Sequence, residues 1–195
     1  GKSVCVKAII NAGVRNGKRV AVFAFMGSAA SLVCGNTINS AIPVKVWRTK
    51  ADLEKFVAQS KTQIFAAVKK YRMGKLPEAN YMHRYIKMWR EVDVLVIDEV
   101  STCSPDVLYA LHVVADACRY GLPRSGCSSP MLGGVQTIMV GDMCQLPPIP
   151  LPTLRPDVRP NDKQYIFQGY TGTTRDRNRN IWRELNLRVY VLTRV

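Results

Sequence analysis

Residues 93–101 read DVLVIDEVS. Four consecutive apolar residues, Val94 to Ile97, run into two adjacent carboxylates, Asp98 and Glu99. A short apolar run without polar alternation fits a strand covered by helices on both faces, as in a parallel α/β sheet. Ligands of such sheets bind beyond the carboxyl ends of the strands, which is where the run would deliver Asp98 and Glu99. Taken alone, the pair also fits the polar boundary between a buried strand and a turn.

Outward from that strand, helical and extended patterns alternate, which predicts an α/β domain with a largely parallel sheet. Upstream, Ser3–Val14 spaces its apolar residues as a helix with Val4, Ala8 and Ile9 inward. RNGK at 15–18 reads as a turn and RVAVFAF at 19–25 as a buried strand. Residues 28–34 read as a short helix closed by Gly35, and 50–72 place Leu53, Phe56, Val57, Ile64 and Val68 at the spacing of one or two surface helices. Downstream, Pro105 opens a helix through DVLYALHVVADACRY. A Gly/Pro/Ser-rich loop at 121–134 precedes a second apolar strand, Gln136–Val140. Residues 147–180 read as a loop-rich insertion within one domain spanning 1–195, before a helix at Ile181–Leu185 and a final strand, Arg188–Leu192.

Composition bounds the function. The 195 residues are 47% hydrophobic and 22% charged, an ordinary globular balance with enough chain for a sizeable core. Lys and Arg number 28 against 14 Asp and Glu, and the net charge of +14 favours a polyanionic partner such as nucleic acid. No apolar run approaches the roughly 18 residues that span a bilayer, and the start has no secretory pattern, so no membrane partner is expected. Six scattered cysteines without a C-x-x-C pair, beside only His83 and His112, read as reduced intracellular thiols rather than a zinc site. Neither histidine has a carboxylate or metal-ligand spacing nearby, and Trp47, Trp89 and Trp182 read as packing anchors as readily as base-stacking platforms.

Two further stretches give the carboxylate pair its companions. The chain opens Gly1-Lys2-Ser3 directly before a helix, the last third of a phosphate loop, G-x-x-x-x-G-K-[ST]. Helix-start amides hold phosphate oxygens, a lysine there reaches the β- and γ-phosphates of ATP, and the serine hydroxyl can ligate Mg²⁺. Asp98 would complete the metal site, and Glu99 would orient and deprotonate the attacking water. The second stretch, VGDMCQLPPI at 140–149, also follows an apolar strand and brings Gly141, Asp142 and Gln145 to the same edge. Gln145 can donate to a phosphate oxygen and accept from water, so it could sense a γ-phosphate. A plain turn capped by Asp142 would explain that segment in isolation.

These residues resemble the superfamily-one DNA helicases of the petite-integration-frequency (PIF) type, and the resemblance covers most of the chain. GKS is similar to the end of helicase motif I, VLVIDEVS to motif II, and VGDMCQLPP, introduced by GGVQ at 133–136, to motif III. AFMGSAASLVCGNTINS at 24–40 is similar to motif Ia, with Ala24, Met26 and Asn39 where the family has two threonines and a histidine. IWRELNLRVYVLTRV resembles the segment leading to motif IV.

The resemblance implies a P-loop NTPase fold, a RecA-like three-layer domain here truncated at both ends, with its first strand, part of its phosphate loop and the motif IV arginine outside the chain. It implies ATP and Mg²⁺ as cofactors, with Gly1, Lys2, Ser3 and Gln145 binding nucleotide, Ser3 and Asp98 the metal, and Lys2, Asp98, Glu99 and Gln145 catalytic. It implies partners in single-stranded DNA and duplex junctions, Gly27, Thr37 and Ser40 gripping backbone phosphates, and a second RecA-like domain in the full-length chain. Arg155, Arg159, Lys163, Arg175, Arg177, Arg179 and Arg183 could track a DNA backbone or form a solvated insertion. The activity implied is ATP-driven translocation and unwinding with 5′-to-3′ polarity, in repair, recombination or telomere maintenance, although this fragment by itself is expected to be inactive. Its place would be the nucleus or mitochondrion of a eukaryote, or the host cell of a virus. A P-loop ATPase that moves no DNA and a non-catalytic nucleic-acid-binding module remain as alternatives.

Overall fold

The computed structural model describes residues 1–42, 50–121, 130–146, 148, 165–167 and 180–192. Four strands, β1 (Val20–Ala24), β2 (Asn36–Thr37), β3 (Val94–Asp98) and β4 (Gln136–Met139), form one sheet in the order β2-β1-β3-β4, every pair parallel. Parallel neighbours need crossovers, and the helices supply them. Helix α1 (Lys2–Arg15) precedes β1, and α2 (Gly27–Leu32) joins β1 to β2. Helices α3 (Lys50–Arg72) and α4 (Tyr81–Glu91) lie between β2 and β3, α5 (Pro105–Tyr120) joins β3 to β4, and the short α6 (Ile181–Glu184) follows.

Period-two alternation along the strands sorts the core into two layers. Phe23, Leu95 and Ile97 face α3, α4 and α5, while Val22, Val94 and Val96 pack with Val6 of α1 and Val33 beyond α2. All five residues of β3 are buried, which is why its sequence is continuously apolar. Helix α5 is buried almost throughout and forms the spine of its layer. It starts where Ser104 caps the Val107 amide with Pro105 in the first turn, and it ends at Gly121 with φ 79°.

The expected strands at 19–25, 94–97 and 136–140 and the expected helices at 3–14, 28–34, 106–120 and 181–185 form with shifts of one or two residues. Two expectations change and a third narrows. In α1 the inward residues are Val6, Ile9 and Ile10, whereas Val4 is 70% exposed and Ala8 is exposed, because the helix lies on the sheet through the next stripe round. The 50–72 segment is one 23-residue surface helix rather than two, with the expected stripe of Leu53, Phe56, Val57, Ile64 and Val68 buried against the core and Lys55, Gln59, Thr62 and Lys69 exposed on its other face. Residues 188–192 form no strand: Val189, Tyr190 and Val191 are about four-fifths exposed and have no paired neighbour among the described residues. Most of the 147–180 stretch, and with it Arg155, Arg159, Lys163, Arg175, Arg177 and Arg179, lies outside the described residues, as does Trp47.

The remaining rings belong to packing. Trp89 is fully buried and its indole N–H donates to the Ala41 carbonyl at 3.0 Å. Trp182 rests against the main core, His112 accepts the Leu132 amide through Nδ1 at 3.2 Å, and His83 lies 4.9 Å from the Tyr71 ring. Burial pushes the Cys103 and Cys118 thiols up to about 12, as befits core fillers. Among the described residues no helix is long and apolar enough to cross a membrane.

Candidate active site

The alternation that places Val94 and Val96 toward α1 continues to Asp98, so this carboxylate ends β3 on the same side of the sheet as the start of α1. Gly1 is the N-cap of that helix, its carbonyl accepting the Val4 and Cys5 amides at 3.1 and 3.2 Å. The amides of Lys2 and Ser3 precede the first intrahelical bonds and have no acceptor within the helix. Ser3 is half-buried in this first turn, and its hydroxyl makes no hydrogen bond among the described residues.

Lys2 and Glu99 meet directly: Nζ lies 3.3 Å from Oε1, with both side chains about a quarter exposed. The ammonium nitrogen itself is buried and has no hydrogen-bond partner among the described residues, although it carries three donors. A buried cation with unused donors beside helix-start amides that have no acceptor within the helix suits an anion such as a phosphate.

Asp98 is only 4% exposed. Burial raises its carboxyl above the ordinary aspartate value, and the neighbouring Glu99 adds to the rise, while the Glu99 amide at 2.9 Å and the Lys2 charge oppose it. A carboxylate kept in so dry a place is one that a bound cation would relieve.

Glu99 adopts a left-handed conformation, φ 53° and ψ 45°, at a cost of about 1 kcal/mol or more for a residue with a Cβ. Its surroundings hold it there. Its amide donates to Asp98, and its carbonyl accepts from the Thr102 hydroxyl at 2.8 Å and the Thr102 amide at 3.1 Å.

The segment after β4 closes over this turn. The Val140 amide donates to the Ile97 carbonyl at 2.8 Å, and the Val140 carbonyl accepts the Val100 amide at 3.0 Å. Gly141 then passes so near that a Cβ on it would sit 2.7 Å from Val100 Cγ1 and 3.0 Å from the Val100 nitrogen, so only glycine fits without movement. Asp142 builds the following turn and brings Gln145 to the wall of a groove of about 680 Å³, which Glu99, Thr102 and Leu146 also line. Met26, Ser28, Ala29 and Leu32, at and after the end of β1, line it too.

Gly27, Thr37 and Ser40 gather on the other side of β1. Ala24 pairs with Thr37 in the sheet, a Cβ on Gly27 would lie 4.0 Å from Thr37 Cγ2, and the Ser40 hydroxyl donates to the Thr37 carbonyl at 2.6 Å. The fold therefore brings Lys2, Asp98 and Glu99 into one cluster, sets Gln145 on a groove shared with Glu99, and keeps Gly27, Thr37 and Ser40 as a second group. One residue with a structural claim on the site was not singled out by the sequence, Thr102, which fixes the Glu99 turn; Asp142, expected at this edge as a turn cap, does cap the turn that carries Gln145.

A parallel sheet with helices on both faces, carrying a lysine at a helix start opposite a carboxylate pair at its carboxyl edge, defines a RecA-like α/β domain. Solved structures agree. The crystal structure of Pif1 helicase from Candida albicans matches with a TM-score of 0.51 at 27% identity, over 76% of this chain and 28% of that one. That of Pif1 helicase from Bacteroides in complex with ADP-AlF3 and ssDNA matches with a TM-score of 0.53 at 25% identity, over 76% and 27%. Among curated proteins, ATP-dependent DNA helicase PIF5 of Trypanosoma brucei brucei is 31% identical over 172 residues, 87% of this chain. ATP-dependent DNA helicase PIF1 of Saccharomyces cerevisiae is 27% identical over 158 residues, 80% of this chain. Over most of its length the chain is similar to helicases of the Pif1 type. It spans 15% of the length of each of these two relatives, and no protein-family model matches it.

Proposed function

We propose that this chain is the nucleotide-hydrolysing part of an ATP-dependent DNA helicase, in which ATP turnover drives movement along single-stranded DNA and unwinding at duplex junctions. One observation carries the reading: the Lys2–Glu99 contact of 3.3 Å beside the buried Asp98, at the start of a helix whose first amides have no acceptor within the helix. The helicase names of the relatives and the nucleotide and DNA in the Bacteroides complex support it.

In this reading Gly1, Lys2 and Ser3 bind the β- and γ-phosphates through amides and the lysine charge. Arrival of a phosphate gives the Lys2 ammonium an anion with three acceptors and separates it from Glu99, which is then free to take a proton from water. Ser3 and Asp98 would hold Mg²⁺, whose charge offsets that developing on the phosphate oxygens. Gln145 lines the same groove as Glu99 and couples nucleotide state to DNA grip. Gly27, Thr37 and Ser40 contact backbone phosphates through short hydroxyls and amides, without reading bases. The resemblance extends the proposal to 5′-to-3′ movement, to a second RecA-like domain that completes the site, and to genome maintenance in the nucleus or mitochondrion of a eukaryote, or in the host cell of a virus.

The test is ATP turnover by the intact protein with and without single-stranded DNA, together with unwinding of a duplex bearing a 5′ single-stranded tail. Turnover that rises with DNA and accompanies unwinding supports the proposal. Turnover indifferent to DNA makes the protein another kind of P-loop ATPase, and DNA binding without turnover makes it a non-catalytic module.

A further inference from the structure

Asp142 makes three contacts within the turn that follows β4. Its Oδ1 accepts the Cys144 amide at 3.0 Å, its carbonyl accepts the Gln145 amide at 3.0 Å, and its Oδ2 accepts Nε2 of the Gln145 side chain at 3.2 Å. The first two shape the turn. The third acts on a side chain that is otherwise exposed and would lose little by rotating away.

A carboxylate only accepts hydrogen bonds, so it selects the nitrogen end of the Gln145 amide and leaves Oε1 turned away from it. Gln145 shares its groove with Glu99. A water lying between two acceptors, Oε1 of Gln145 and the Glu99 carboxylate, donates one hydrogen to each and keeps an oxygen lone pair for a third direction. We propose that Asp142 is a positioning residue for hydrolysis: by holding the Gln145 amide in one sense, it makes Gln145 an acceptor that orients the attacking water. The water oxygen then bonds to the γ-phosphorus, and the bond from that phosphorus to the bridging oxygen breaks with its electron pair leaving on ADP. One proton passes to Glu99, and the other stays on the phosphate formed.

The inference rests on the helicase reading, and its test separates the two. In the intact protein, Asp142→Asn keeps an oxygen for the Cys144 amide but offers Gln145 a donor, which favours the reversed amide. The expected result is a roughly tenfold lower kcat for DNA-stimulated ATP hydrolysis with KM for ATP unchanged. In a Gln145→Ala background the same substitution should cost nothing further, because the residue through which Asp142 acts is gone. A wild-type kcat in Asp142→Asn, or a full additional loss in the Gln145→Ala background, overturns the proposal while leaving the helicase reading standing. A wild-type protein without DNA-stimulated turnover overturns both.

Discussion

Replacing Gly141 by alanine adds one methyl group where the 99–102 and 141–146 segments cross. The new carbon would sit 2.7 Å from Val100 Cγ1, 3.0 Å from the Val100 nitrogen and 3.2 Å from the Ser101 nitrogen. Rotation of the valine side chain relieves the first contact, but the other two are backbone, so the 141–146 turn or the 99–102 turn must shift by several tenths of an ångström. Overpacking of this kind costs about 1–3 kcal/mol, and for a domain of this size each kcal/mol lowers Tm by about 2–4 °C. The shift also disturbs the groove that Gln145 and Glu99 line, so turnover per folded molecule should fall as well. Thermal unfolding and DNA-stimulated ATP turnover on the same preparation read both effects. Two glycines serve as controls. Gly35→Ala meets the Val22 carbonyl oxygen at 2.8 Å, away from the Glu99 turn, and should lose stability but keep its turnover per folded molecule. Gly27→Ala meets only Thr37 Cγ2 at 4.0 Å and should unfold like the wild type. A Gly141→Ala protein with unchanged Tm and unchanged turnover would refute the close crossing on which the site is built.

Asp98→Asn should stabilise the metal-free protein at neutral pH by about 0.5–2 kcal/mol while removing any stabilisation by Mg²⁺. Burial raises the Asp98 carboxyl above its ordinary 3.8, so the folded chain keeps that proton to higher pH than the unfolded chain does. Stability from this group is therefore greatest below 3.8 and is lost as pH rises through the raised value, and the advantage of the asparagine should vanish on acidification. Tm against pH in chelator measures it, and a wild type more stable than the variant at neutral pH would contradict the assignment. Trp89→Phe strands the buried Ala41 carbonyl that now receives the indole N–H at 3.0 Å, and it leaves a void. A loss of about 2–4 kcal/mol in urea unfolding is expected, and a loss below 1 kcal/mol would count against that bond.

Much of this architecture was legible because burial writes itself into composition. The strand 94–97 is apolar on both faces because α1 lies on one side and α3–α5 on the other, and the Ser104-Pro105 start of α5 is a local signal that survives any context. The α1 face was misread because Val4 and Val6 both continue into apolar stripes, and only the sheet decides which one is covered. Strand β2, two residues of Asn and Thr, carries no apolar signal at all; its pairing is set by Gly35, where a Cβ would strike the Val22 carbonyl. Conversely, 188–192 has the β-branched and aromatic content of a strand, but a strand needs a neighbour and none of the described residues offers one. At the candidate site, residue types and order singled out Lys2, Asp98, Glu99 and Gln145, of which the fold gathers the first three and sets Gln145 on a groove with Glu99. They did not reveal the left-handed Glu99, which depends on Thr102 and Asp98 closing hydrogen bonds around it, nor the grip of Asp142 on Gln145.

The account turns on Glu99 as the residue that takes a proton from water while Lys2, Ser3 and Asp98 hold the phosphates and the metal. Glu99→Gln keeps the size of the side chain and removes its basicity. In the intact protein, this variant should bind ATP with wild-type affinity and lose DNA-stimulated hydrolysis by about 10²-fold or more. Hydrolysis at the wild-type rate in Glu99→Gln would contradict the assignment of this carboxylate and, with it, the mechanism.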